Sequence, residues 1–264
     1  MRAIRIIYRR ELGTYLRSPF GWVIAAILLL IDGILFEGYA MGGEQLSAIV
    51  LLIDGLLFQG LVLSGGEQLS AIVLERAFYY ESGIPLFAGV LLSFRLLSEE
   101  RQNHSMVLLN TSPIRDSQIV LGKFFAALTF LAFMLVISVY MPILIKINGK
   151  ITVAQVVVGY IGLLLLGAAT LAIGLFASAL TRQQLIAAVV AAALVTLMCF
   201  IYVLANKVDP PLGDAINQIG LFWVHFHGSF EKGILKLKDV VYYVATTYFF
   251  LLLAIKTLEA KRWQ

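Results

Sequence analysis

Six long apolar stretches leave this chain no way to fold as a soluble globule. A helix needs about 20 apolar residues to cross the roughly 30 Å hydrocarbon core of a bilayer. Stretches of that kind recur at about Pro19–Tyr39, Gly83–Leu97, Lys123–Ile147, Ala154–Leu180, Leu185–Ala205 and Val240–Leu258. Hydrophobic residues make up 60% of the 264 residues and charged residues only 14%, outside the range of soluble domains. No sizeable soluble domain fits on either side. The expected fold is all-α: one polytopic membrane domain over 1–264 with six transmembrane helices.

The basic residues set the expected orientation. With the N-terminus inside, Arg2, Arg5, Arg9, Arg10, Arg17, Arg95, Arg101, Arg115, Arg182 and Arg262 all fall on the inner side, and only Arg76 falls outside. The positive-inside rule favours that arrangement, with both termini cytoplasmic. The Arg-rich opening, 1–18, does not read as a signal peptide, because the apolar run after it is too long for a cleavable h-region. Its residues Ile4, Ile7, Tyr8, Leu12 and Tyr15 recur at helical spacing while the arginines point elsewhere. That pattern predicts an interfacial amphipathic helix with its apolar face in the acyl boundary. Ser18-Pro19 then reads as an N-cap and first-turn proline opening the first span.

A tandem duplication complicates the region after the first span. Leu30–Gly38 is nearly repeated at Leu52–Gly60, and Gly42–Leu51 recurs as Gly65–Leu74. Two copies are too few for a solenoid. A seventh crossing through Leu46–Leu63 would invert the arginine bias, so residues 42–82 are expected at the outer face.

Several motifs are decoys. Leu63-Ser64-Gly65-Gly66-Glu67-Gln68 spells the signature of ABC-type ATPases, but the phosphate loop that an ATP site also needs is missing. Gly122-Lys123 has no upstream glycine, and Phe124 stands where a magnesium-binding Ser or Thr belongs. The chain is therefore expected not to be an enzyme and to hold no cofactor of its own. His225 and His227 have no third ligand nearby, so no metal site is assigned. Trp223, Phe222, Phe226, Phe230, Tyr242 and Tyr243 read as an aromatic belt at the outer interface. Asp32 is the only acidic residue inside a proposed span, fewer than an ion-coupled transporter would show. The lone Cys199 excludes an internal disulfide. Nothing suggests nucleic-acid binding.

The polar island between the second and third spans is more informative. Arg95 and Glu99 stand one helical turn apart at the membrane boundary. A short apolar patch, Ser105–Asn110, follows and stops at Ser112-Pro113, after which residues 114–123 lead into the third span. A short amphipathic helix between two spans suits docking into a groove on a soluble partner. Small residues crowd the fourth span: Gly159, Gly162, Gly167, Gly174 and Ser178 let helices approach closely. Pro142 is placed to kink the third span near its outer end.

These residues carry a family resemblance. Arg10-Glu-Leu, Tyr15, Ser18-Pro19-Phe20, Glu99-Glu100-Arg101, Leu108-Leu109, Ser112-Pro113 and Ile119–Lys123 resemble the permease subunits of type-2 ABC exporters. The branch they look like contains gliding-motility-associated and nitrous-oxide-reductase accessory permeases. Gly159–Arg182 and the closing Leu258–Trp263 extend the match over most of the chain, and the duplication departs from the usual pattern.

The resemblance implies a cytoplasmic coupling helix within the loop 98–122, seated on a separate ATPase subunit. By that correspondence Glu99, Glu100, Arg101, Leu108, Leu109, Pro113 and Arg115 are its coupling residues. It further implies that 1–18 is a membrane-lying elbow and that the outer loop 206–239 holds short re-entrant helices. ATP and magnesium would sit on the ATPase partner. A second permease copy, identical or related, and membrane lipid complete the expected partners, in a prokaryotic inner membrane. The function implied is the membrane half of an ATP-driven exporter. The alternative is a non-transporting anchor that passes ATPase motion to an envelope machine such as a gliding or secretion apparatus.

Overall fold

The computed structural model describes residues 2–19, 21–27, 29–30, 74–75, 77–102, 115–140, 142–143, 146, 151–209 and 211–262. The first proposed span is described as far as Leu30, and residues 31–73, which hold nearly all of the duplication, lie outside the described residues. The described elements are α1 (Arg2–Arg17), α2 (Gly83–Ser93), α3 (Arg95–Gln102), α4 (Asp116–Ser138) and α5 (Val153–Leu180). After them come α6 (Gln184–Ala205), α7 (Leu212–Asn217), a 3-10 turn (Phe230–Lys232) and α8 (Leu237–Arg262). There is no strand among the described residues.

Five helical runs are long and apolar enough to cross a membrane: Ala77–Glu100, Asp116–Ser138, Val153–Leu180, Gln184–Ala205 and Leu237–Lys261. They match the second to sixth apolar stretches of the sequence. The chain is a multi-pass, all-helical membrane protein. The regular part of α4 ends at Ser138, four residues before Pro142, because a proline there cannot donate to the Ser138 carbonyl.

The central helix is α5, which packs against α2, α4, α6 and α8. Its 28 residues reach about 42 Å at 1.5 Å per residue, and none of them is charged. Small residues bring the neighbours in. The site where Gly159 would carry a Cβ is 2.2 Å from the Phe78 ring, and that of Gly162 is 2.4 Å from Phe230 Cβ. Gly167 faces Leu131 and Pro85, and Gly174 faces the Ser93 hydroxyl. Close approach of this kind is how helices associate where lipid gives no hydrophobic drive. By contrast α6 and α8 keep broad apolar faces open, including Leu185, Val189, Phe200 and Leu204 on α6 and Val244, Tyr248 and Phe249 on α8. Such faces suit contact with acyl chains.

The bundle has two distinct ends. One carries α1, α3, Lys123, Leu180 and Lys261, with the Lys261 ammonium donating to the Ala179 and Leu180 carbonyls at 3.1 and 2.6 Å. The opposite end is aromatic, and four of the six rings expected in an interfacial belt are buried in the protein, while Trp223 and Tyr242 stay partly exposed. Phe226, Phe230 and Tyr243 are fully buried, and Phe222 nearly so. The segment between α7 and α8 folds back over the bundle: Leu221 N–H donates to Met198 O at 2.9 Å, and Tyr243 OH donates to Leu221 O at 2.7 Å. Phe230 fills the gap that Gly162 leaves open. Burial of large rings outweighs their preference for the interface, because each ring removes far more apolar surface from water when packed than when half exposed.

A second departure concerns acidic residues. The span that hydropathy begins at Gly83 starts at Ala77 and takes Glu81 into the bundle, 2% exposed. The Tyr160 hydroxyl donates to Glu81 Oε1 at 2.6 Å, and the Ser138 hydroxyl donates to the same oxygen. Hydropathy truncated this helix at the carboxylate because its two hydroxyl partners come from α4 and α5, 57 and 79 residues away in sequence.

Candidate functional site

Helices α1, α3 and α4 meet at the charged end around one buried ammonium. Lys123, about two turns into α4, is 2% exposed. Its Nζ donates to Glu11 Oε1 of α1 at 2.9 Å and lies 3.0 Å from Glu100 Oε1 of α3. Arg10 approaches the same Glu100 oxygen at 3.5 Å from the solvent side. Two carboxylates from two elements thus converge on a cation from a third. An uncompensated ammonium at that depth would be strongly unfavourable, so the three elements are held in one arrangement.

The apolar stripe of α1 completes the junction. Ile7 and Tyr15 are buried against the bundle, with Ile4 and Ile7 over Gly122 and the Tyr15 ring stacked on Phe130 at 5.3 Å. The sequence pattern had assigned this stripe to the acyl boundary; here the part carrying Ile7 and Tyr15 faces protein. Gly122 explains the difference, since its missing side chain admits the Ile7 methyl groups. Arg5, Arg9 and Arg10 remain exposed on the other face. Tyr15 OH donates to Leu92 O at 3.1 Å. Burial, followed by the neighbouring Glu11 carboxylate, holds the Tyr15 phenol well above the ordinary tyrosine range, so it stays a donor.

Arg95 and Glu99 form a two-point pair within α3, Nε to Oε2 at 2.8 Å and Nη2 to Oε1 at 2.9 Å. A cavity of about 150 Å³ lies between this pair and α1, lined by both ionic groups together with Thr14, Tyr15, Ser18 and Gly21. The charged side chains around it, Arg10, Arg95 and Lys123 against Glu11, Glu99 and Glu100, balance in number.

The proposed coupling residues separate into distinct environments. Glu99 is partly exposed at the rim, with 37% of its side chain accessible, whereas Glu100 turns inward to Lys123. Arg101 lies within α3. Arg115 is exposed and occupies the N-cap of α4, where Gln118 Oε1 accepts from its backbone N–H at 3.3 Å. Leu108, Leu109 and Pro113 lie outside the described residues. Glu11, Tyr15 and Lys123 were missed as site residues by sequence reasoning. Lys123 alone left a signal, a lysine several residues inside an apolar stretch, which calls for a counter-ion.

At the aromatic end a Ser, a His and an Asp come together. His225 Nδ1 is 2.7 Å from Asp239 Oδ1, its Nε2 is 3.1 Å from Gln218 O, and its ring stacks on Tyr242. Ser229 donates to the other oxygen of Asp239. The order is wrong for a nucleophilic triad, which places the imidazole between hydroxyl and carboxylate; here the carboxylate is in the middle and fastens the fold-back segment to α8. Beside it, His227 pairs with the buried Glu231 at 2.8 Å. No group of three or more metal-ligating side chains occurs among the described residues.

This architecture, a helical membrane bundle with a buried ionic junction flanking one loop, agrees with a family comparison. The model of the ABC-2 family transporter proteins matches residues 5–255. The chain belongs to that family. Membership makes it a permease component of an ABC system, a class that works with an ABC ATPase and is generally not itself catalytic. No curated protein gives a significant match to this permease. The matched region contains every residue of the ionic junction and all five of the described spans up to residue 255.

Proposed function

We propose that the chain is the membrane-spanning permease subunit of an ATP-driven exporter. It lines the translocation pathway and takes its driving force from a separate ATPase subunit seated on the cytoplasmic loop 98–122. The observation that carries this reading is the junction at Lys123. The two segments that enter and leave the loop, α3 and the start of α4, share one buried ionic centre with α1. A push on the loop therefore reaches three helices as a unit instead of dissipating in a soft connection. Rigid-body alternation of two such bundles would open and close a pathway between them.

The remaining assignments follow from the same reading. The charged end faces the cytoplasm, with both termini there, because the arginines concentrate on it. A second permease copy, identical or related, supplies the other half of the pathway, and the open faces of α6 and α8 meet lipid or that copy. Membership of the gliding-motility or nitrous-oxide-reductase accessory branch, and residence in a prokaryotic inner membrane, rest on the sequence resemblance. Few charges inside the bundle favour a lipidic or amphipathic cargo.

The decisive experiment is co-purification of the native complex, followed by reconstitution in vesicles. The expected result is a bound ABC ATPase whose hydrolysis rises on assembly and drives cargo across the membrane. Purified permease alone hydrolysing ATP, or no ATPase in the native complex, would refute the proposal. Stimulated hydrolysis without cargo movement would instead favour the anchor that only transmits force.

A further inference from the structure

Between α2 and α3 the backbone ladder of the Ala77–Glu100 span is interrupted, and a side chain from another helix fills the interruption. Phe94 keeps helical angles (φ −61°, ψ −30°) and its own N–H still reaches Val90 O. Three residues later the pattern changes. The N–H groups of Leu97 and Ser98 both donate to Ser178 Oγ of α5, at 3.1 and 2.9 Å. In a regular helix they would reach the carbonyls of residues 93 and 94. Ser178 in turn donates to Phe94 O at 2.8 Å, and the Ser98 hydroxyl donates to the same carbonyl. A hydroxyl from the uncharged central helix thus takes the place of backbone in the ladder of its neighbour.

The surroundings leave little freedom for another arrangement. Ser93, Ser98 and Ser178 are each fully buried, as is Leu97. One turn away, Gly174 touches the Ser93 hydroxyl, so close that no larger residue fits between α2 and α5 there. Insertion of a side chain into an i→i−4 ladder is one of the few established causes of a bend or hinge in a long helix. It occurs here immediately before the residues that carry Glu99 and Glu100.

We propose that Ser178 is a positioning residue for energy coupling: its hydroxyl sets the direction in which α3 leaves the membrane span, and so presents α3 and the loop to the ATPase. This rests on the proposed docking of an ATPase at the loop, and it goes beyond helix packing. A residue that merely fills space is indifferent to the polarity of its side-chain tip. Ser178 accepts two amide protons and returns one to a carbonyl.

The test compares wild type, Ser178→Ala and Ser178→Cys in the reconstituted full complex. Cysteine keeps the branching of serine with a somewhat larger tip but is a weak acceptor, while alanine removes the acceptor without adding bulk. Both variants are expected to bind the ATPase as wild type does, to lose at least about fivefold of its stimulation, and to exchange the Leu97 and Ser98 amides about tenfold faster or more, because two buried donors have lost their acceptor. Amides in the middle of α5 should not change. Unaltered exchange at Leu97 and Ser98 would overturn the hydrogen-bonding role. Full stimulation in both variants would overturn the positioning role, and a cysteine variant that behaves as wild type would reduce Ser178 to packing. Failure of the wild-type permease to hold an ATPase would defeat the docking reading instead, and the exchange measurement would still decide whether Ser178 completes the ladder.

Discussion

Lys123 Nζ lies 2.9 Å from Glu11 Oε1, joining residues 112 positions apart at a point where each is largely removed from solvent. The contact ties the first helix of the chain to the span that follows the loop. Glu100 makes the third corner. Because the ammonium is buried, its removal leaves two carboxylates facing each other with the exposed Arg10 nearby, 3.5 Å from Glu100.

Replacing Lys123 by Met is expected to destabilise the folded permease by about 3–5 kcal/mol and to expose α1 to protease. Adding Glu11→Gln and Glu100→Gln to that variant should recover much of the loss, since the three charges of the junction are then gone and the exposed Arg10 remains. Thermal unfolding in detergent with limited proteolysis checks both. A triple variant no more stable than Lys123→Met would mean that the charges are not what holds the junction.

Glu99 and Glu100 should differ although they are adjacent. Glu99→Lys breaks a partly exposed pair with Arg95, a loss of about 1 kcal/mol or less, while inverting charge at the face proposed to meet the ATPase. Co-purified ATPase should fall with little change in unfolding temperature. Glu100→Lys places a second cation beside Lys123, so it should lower the unfolding temperature even in the isolated permease. Equal effects of the two reversals on stability would contradict this geometry.

The glycines of α5 are graded by what a methyl group would meet. At Gly162 the new Cβ would lie 2.4 Å from Phe230 Cβ, next to backbone that cannot rotate away. Gly162→Ala should therefore cost about 1–3 kcal/mol. At Gly167 the nearest atom is the end of the Leu131 side chain, 2.9 Å away, which can shift, and the loss should be smaller. Gly13→Ala in α1 meets nothing within 4 Å and should be neutral or stabilising by about 0.5–1 kcal/mol. Ranking the unfolding temperatures of the three variants is sufficient.

Stability of the fold-back segment should depend on pH through Glu231. Burial raises its carboxyl from 4.5 to about 7 against the opposing hydrogen bond from His227. The folded state thus favours the protonated form more than the unfolded chain does. That contribution is complete below about pH 4.5 and disappears as pH rises through about 7. Wild type should lose unfolding temperature between about pH 5 and pH 8, and Glu231→Gln should flatten that part of the profile. An identical slope in the variant would exclude Glu231 as its source.

Hydropathy and residue type located the fourth to sixth spans within about three residues at each end, because crossing a bilayer is a local requirement on length and polarity. The ends of the second and third spans shift by up to about six and nine residues. Val153–Leu180 and Gln184–Ala205 begin one residue from where the sequence placed them. The same locality explains the errors. Glu81 was excluded from its span because the donors that accommodate it, Ser138 and Tyr160, are distant in sequence. The rings of Phe226, Phe230 and Tyr243 were assigned to an interface because nothing in their own segment says that the bundle has room for them, as Gly162 does for Phe230.

The candidate site divides in the same way. Its general location, at the polar island before the third span, was legible from Arg95, Glu99 and Arg115, because charges beside apolar stretches stand out in the sequence. Which carboxylate faces outward and which turns to Lys123 was not, since Glu99 and Glu100 are chemically alike and differ only in their direction around a helix. Sequence alone thus determined that the chain crosses lipid repeatedly and where its charged end lies. Only the tertiary structure decided that Glu11, Glu100 and Lys123 share one buried centre and that Ser178 completes the ladder of another helix. Such partnerships depend on how helices are set against each other, and the periodicity of a single helix carries no record of its neighbours.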